Sequence, residues 1–465
     1  MGHAKRTIQK WLVFWLVLGL AAGAMLGAPE AAPAAAQAEQ GLIAYVVGND
    51  QTGDQIWLVE PDKSSPRQIW SSSRSGTEGI QDVTNLAWSP SGQELAFAGR
   101  HENDCSFYYS DIYALRPDGS GYRRVSSPPA CGQRAGLPTG TVRVPVTNYS
   151  FTGGPFTIYF EGAQQAQEIF LASGASTTVT FQNVADYGDR VQWAVASFGG
   201  LRFHDVLGNA NVIPGETVTT QGEVPIYFGT EFWGWRWPTW RSDESQLAYV
   251  FQASGAFYGV PANNQVPGNS GQEITNVPIA GRPGDPEHLS YGPTAGRSSQ
   301  ILYAAYDFYG EGATIYLVEE GSTHAGQVLV EVGGGEGRYV LGLSWLPDGS
   351  GFLYSATEEY GEQANLYAYH FATGASTRLT NFTSSFTRLV SVSPDGQRTI
   401  FERQVGGDWT DEDPDIDLWM MNIDGSGAQL FLEDARSPAW GRVGAVVQPP
   451  PSAAVQVFLP VVIGR

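Results

Sequence analysis

The residues of this 465-residue chain that could do chemistry are acids and aromatics rather than nucleophiles. The densest acidic run is DWTDEDPDID, residues 408–417. Within it Asp411, Asp413 and Asp415 alternate, and oxygen ligands at that spacing can wrap a calcium ion. An EF-hand loop would also need Gly at its sixth position and Glu at its twelfth, both missing here, so a solvated acidic loop is the favoured reading. The aromatics gather in three stretches: Phe107, Tyr108 and Tyr109; Phe232, Trp233 and Trp235; and Trp409. Aromatic platforms beside acidic acceptors suit sugar rings or cationic groups, and packing in the interior is the competing use of the same side chains. Tyr108, Tyr109, Trp233, Trp235 and Trp409 are therefore the candidate ligand-binding residues, and no catalytic residue is assigned.

Other chemistries find less support. The chain has neither a Gly-x-Ser-x-Gly elbow nor an HExxH pair, and its six histidines are scattered without ligand spacing. His101 and His288 are the two that fall near the favoured face defined below. Carboxylate pairs of the glycosidase kind could be drawn from any acidic surface. A non-catalytic binding protein is expected, with an extracellular polysaccharide lyase or glycosidase as the alternative. No cofactor is expected beyond the calcium reading.

The formal charge of −21 repels phosphate backbones, which excludes nucleic acid as a partner. Lys5, Arg6 and Lys10, the apolar run Trp11 to Leu26, and Ala36-Gln37-Ala38 read as a secretory signal over 1–38. Its removal would leave a secreted, extracellular or cell-surface protein, periplasmic where an outer membrane exists, without a membrane span. Cys105 and Cys131, the only cysteines, fit an oxidising compartment and a disulfide. At the other end, 444–465 form a Pro-rich linker and an apolar tail, Val455 to Ile463, too short to cross a bilayer.

These residues are positioned by a repeated phrase. Residues 84–126 read as four short strands: one ending at Trp88, a Ser-Pro-Ser-Gly turn, Leu95 to Ala98, Asp111 to Leu115, an Asp118-Gly119 turn, and Tyr122 to Val125. Similar first strands end near Trp240, Tyr291, Trp345, Val392 and Trp440, about 50 residues apart, which is propeller-blade spacing. The WSP and DGS-type turns resemble those of the TolB-type β-propeller family. That resemblance implies a propeller fold and protein–protein interaction around its central opening. It assigns the motif residues to turns.

The first unit lacks an inner strand, which Ser437 to Trp440 would supply, closing a ring of six blades. The interval from Trp88 to Trp240 is about 100 residues too long, and the surplus at 137–224 alternates apolar and polar residues. It resembles small immunoglobulin-like or transthyretin-like sandwich modules. The expected architecture is thus all-β: 39–136 as two blades, 137–224 as an inserted β-sandwich, 225–443 as four blades and the closing strand, in a monomer. Up-and-down strand order sends the short turns to one face and the long loops, both cysteines and the insertion to the other. Function is expected on that second face, with a protein or glycan partner.

Overall fold

The computed structural model describes residues 41–49, 53–72, 83–102, 106–188, 190–198, 201–203, 208–226, 234–251, 255–275, 286–306, 312–333, 339–358, 363–406 and 415–442. The signal, Cys105, Trp233, Trp409, Asp411, Asp413 and the C-terminal tail lie outside them.

The fold is all-β and of the β-propeller type. Leu42–Asn49, Gly53–Val59 and Arg67–Ser71 form an antiparallel sheet whose fourth, innermost strand is Arg436–Gly441, with Leu42 opposite Gly441. Joining the two ends of the described chain in one sheet removes the open edges that a row of sheets would otherwise expose. Three further four-stranded sheets follow in up-and-down order. They start with Val83–Trp88, Trp235–Trp240 and Pro286–Tyr291. Val340–Trp345 and Ser385–Val392 open two more four-strand groups, linked into one sheet by the single parallel bridge Ala364–Phe386.

Apolar side chains are buried between successive sheets rather than at one centre. Leu95, Phe97 and Tyr113 of the second sheet pack on Leu42, Ala44 and Ile56 of the first, and its opposite face, with Ala96 and Ile112, packs on Leu247 and Tyr249 of the third. The series continues round until Ile400, Leu418 and Phe431 meet Ile43 and Tyr45 of the first sheet. Both faces of each sheet are covered, which is why Leu95–Gly99 and Gly351–Thr357 are buried at every position.

The recurring turns show why their sequence repeats. Asp118, Asp348 and Asp424 each accept a hydrogen bond from the backbone N–H two residues on, at 2.9 Å, and the serine hydroxyl at that position, together with this bond, holds each carboxyl below the usual range. Gly119 and Gly425 adopt φ of +82° and +87°, and a Cβ on either would lie 2.5 Å from a carbonyl oxygen of the preceding sheet, Ile69 or Leu379. The acids of these turns therefore shape the backbone, and the glycines let neighbouring sheets approach.

Residues 139–226 form a separate pair of sheets. Thr139–Asn148 pairs antiparallel with Ser176–Ala185 and parallel with Thr217–Thr219 and Val224–Ile226. Gln167–Leu171, Gly154–Phe160, Gln192–Phe198 and Leu201–Phe203 make the other sheet. Val142, Val144 and Val146 alternate inward against Phe156, Ile158, Phe160 and Phe181, so one core serves both sheets. Gln167–Leu171 and Thr217–Thr219 are mostly exposed and show no apolar alternation, so sequence pattern does not reveal them. No helix among the described residues is long and apolar enough to cross a membrane.

Candidate functional site

The first strand of each ring sheet carries an anchor near its end: Trp88, Trp240, Tyr291, Trp345, Val392 and Trp440. The indoles of Trp88, Trp240 and Trp345 donate at 3.0 Å to the carbonyl oxygens of Ala439, Ala87 and Ser290. Each acceptor immediately precedes the anchor of an adjoining sheet, so these tryptophans staple sheet to sheet.

Three residues before the anchors stand Asn85, Trp237, His288, Gly342, Leu389 and Ser437. Asn85, Trp237, His288 and Ser437 have φ of 54°, 56°, 55° and 51°, in the left-handed region, at points where strand register slips. For a residue with a Cβ this costs on the order of 1–3 kcal/mol, and the bulky ring of Trp237 makes it a particularly unusual occupant. All four line one cavity of about 440 Å³ at the second-face end of the first strands. A smaller space of about 150 Å³ adjoins it and shares the same four residues.

The cavity is charged and aromatic. Arg100, Arg236, Arg388, Glu287, Glu402, Tyr306 and Tyr339 complete its polar wall. Glu402 accepts a hydrogen bond from the Ser437 N–H at 2.6 Å and lies 3.8 Å from Nε of Arg388. Burial pushes its carboxyl up, with Arg388 and the Ser437 N–H opposing that shift. Arg388 also donates to Oε1 of Gln404 at 3.0 Å. The Tyr306 hydroxyl lies 3.1 Å from Glu287 and 2.7 Å from the Val340 carbonyl oxygen. His288 places Nε2 3.0 Å from that same oxygen and its ring 4.1 Å from that of Trp237. Burial pushes its pKa down to about 3, helped by Arg388, so the imidazole is neutral at pH 7.

The candidate residues from sequence fall elsewhere. Trp235 is 2% exposed, its ring 5.1 Å from Tyr108 and 5.0 Å from Tyr249, inside the core between the second and third sheets. Tyr108 is half-buried and bonds the Ser270 hydroxyl at 3.1 Å, and Tyr109 is buried with Arg100 over its ring at 4.9 Å. These three rings thus support the second face from beneath and do not form an open platform. Their apolar area is what wins, since burying it between sheets gains more than displaying it. Asp415 is exposed, and Asp411 and Asp413 lie outside the described residues; no metal-holding cluster occurs among the described residues. His101 is enclosed by Trp70 and Tyr113 and bonds the Tyr122 hydroxyl at 2.7 Å. Cys131 donates its N–H to Glu102 at 3.1 Å; Cys105 lies outside the described residues.

Sequence reading missed Arg236, Glu287 and Arg388. A signal was present: each stands four residues before its anchor and is the one formally charged side chain of its strand.

No family profile and no curated protein matches the chain. Among solved structures it is similar to TolB from Acinetobacter baumannii, at 15% identity and TM-score 0.41, covering 86% of this chain and 66% of that one. A chain of a nidogen/laminin complex matches at 8% identity and TM-score 0.43, covering 87% and 99%. A puromycin hydrolase matches at 13% and 0.33, covering 77% and 47%. The chain is an all-β protein of the β-propeller type, and TolB is among the structures it is similar to.

Proposed function

We propose that this chain is a secreted or surface-exposed, monomeric, non-catalytic scaffold that binds a protein or glycan on the face around the channel mouth. In this reading the ring sheets are six blades, closed by Arg436–Gly441, and 139–226 is an inserted β-sandwich presenting a second contact surface. A Cys105–Cys131 bridge would pin the long loop beside it, in keeping with the absence of a free cysteine among the described residues.

One observation carries the reading: the groups at the mouth that could transfer protons are already engaged by the fold. Glu402 is held by the Ser437 N–H, Glu287 by Tyr306, and His288 by the Val340 carbonyl. Such groups orient a binding wall. A second reading, an extracellular polysaccharide-active enzyme, draws on Glu402, a buried carboxyl with a raised pKa at a cavity wall, which is also how a general acid is prepared.

Affinity capture from native envelope and culture fluid tests the choice, with Trp233 and Trp409 kept as proposed contact residues. A partner retained by the natural protein and lost by the Trp233→Ala, Trp409→Ala double variant is the expected result. Depolymerisation of an extracellular polysaccharide, abolished by Glu402→Gln, would replace it with the enzyme reading.

A further inference from the structure

We propose that the channel mouth is a site for the carboxylate of a small organic monoanion, met by the guanidinium of Arg236; this deepens the scaffold reading of the same face and rests on it. The cavity of about 440 Å³ falls in the usual range for small-molecule sites. Two of its three arginines are committed. Arg388 reaches Gln404 and Glu402, and Arg100 donates to the Tyr109 hydroxyl and covers that ring. Arg236 is half-buried in the wall, and among the described residues it makes no side-chain hydrogen bond or ion pair.

The charge balance gives the ligand class. Among the described lining residues three guanidiniums accompany two carboxylates, Glu287 and Glu402, with His288 neutral, which leaves one positive charge inside a chain of formal charge −21. One anionic group offsets that excess, whereas a phosphate carrying two charges would face both glutamates. A planar carboxylate also matches the guanidinium fork in two parallel hydrogen bonds. The acidic surroundings disfavour approach by polyanions.

The body of the ligand would lie against Trp237, Tyr306 and Tyr339, the last two rings 5.2 Å apart. The four left-handed residues fix this wall in advance, so little ordering is required on binding. The adjoining space of about 150 Å³ shares Asn85, Trp237, His288 and Ser437 with this cavity.

Calorimetric titration of the full protein with two matched pairs tests this: benzoate against benzamide, and glucuronate against glucose, at constant ionic strength. At least one carboxylate should bind tenfold or more tighter than its neutral partner. Arg236→Met should remove that preference without changing the melting temperature, and Arg236→Lys should restore part of it. The proposal is overturned if neither carboxylate beats its neutral partner, if Arg236→Met binds as the natural protein does, or if inorganic phosphate binds more tightly than both. Should Arg236→Met fail to fold, the paired comparison on the natural protein decides alone. Carboxylate binding without a captured partner would sink the scaffold reading only; a captured partner with no carboxylate preference would sink this inference only.

Discussion

The ring and the unit at 139–226 are both built from short β-strands, the ring in antiparallel order and the unit with two parallel pairings to Thr139–Asn148, yet they bury their apolar surface in opposite ways. In the ring the clusters straddle neighbouring sheets or neighbouring four-strand groups, so no group has a core of its own. In the unit at 139–226 Val142, Val144, Val146, Phe156, Ile158 and Phe181 close on one another within 88 residues of chain. The first design makes stability a property of closure, and the second makes it local. Between them runs a polar seam. Glu161, buried, bonds the Ser127 hydroxyl at 3.2 Å and lies 3.8 Å from Arg190, and Arg134 donates to the Ala163 carbonyl. A seam of this kind couples the two units less tightly than an apolar interface would.

The strongest way to break the comparison is at the closing strand. Arg436 pairs with the buried carboxylate of Asp54 and donates to the Val83 carbonyl, tying the two chain ends to the second sheet. Arg436→Ala should cost about 3–5 kcal/mol by stranding Asp54. Calorimetry should show the main transition falling while a transition belonging to 139–226 stays put. The mirror experiment is Phe181→Ala, a cavity in the other core, with a cost of about 3–5 kcal/mol confined to the unit at 139–226. If either variant moves both transitions together, the two units share one cooperative core and the contrast fails.

A smaller effect comes from His288. Its pKa is about 3 when folded against an ordinary 6.5, so below pH 6.5 the unfolded chain binds a proton that the native ring refuses. Stability in the ring should therefore fall as pH drops from 6.5 towards 3, by about 2 kcal/mol at pH 5, with burial the main cause, Arg388 adding to it and the hydrogen bond to the Val340 carbonyl opposing it. Urea midpoints of the natural protein and His288→Gln should converge in that interval. Parallel profiles would mean that His288 is not the group responsible. The smallest expected effect is at a staple: Trp240→Phe loses the bond to the Ala87 carbonyl, and a drop of about 1 kcal/mol in chemical denaturation is expected.

Much of the ring was legible because its signals are local. A Trp or Tyr before a turn, an Asp that bends the backbone and a Gly that must take positive φ recur about every 50 residues, and five of the six anchors end first strands, with Trp440 one residue short of its strand's end. The partnership of Arg436–Gly441 with Leu42–Asn49 followed from counting strands. At 139–226 only strands with alternating burial declared themselves, and Gln167–Leu171, solvated along most of its length, did not.

The candidate site was less legible. Tyr108 and Trp235 sit beside long loops, which suits either ligand binding or interior packing; residue type cannot say which way a ring turns, and both turn inward. Arg236, Glu287 and Arg388 come from three sheets and meet only because the ring brings their first strands to one axis.

The sequence by itself determined the repeat, the turns and the all-β character, since each depends on residues within a few positions of one another. Only the tertiary structure decided which side chains face the channel. That outcome depends on the bulges three residues before the anchors and on sheets far apart in the chain converging on a common axis, and neither is encoded within any one strand.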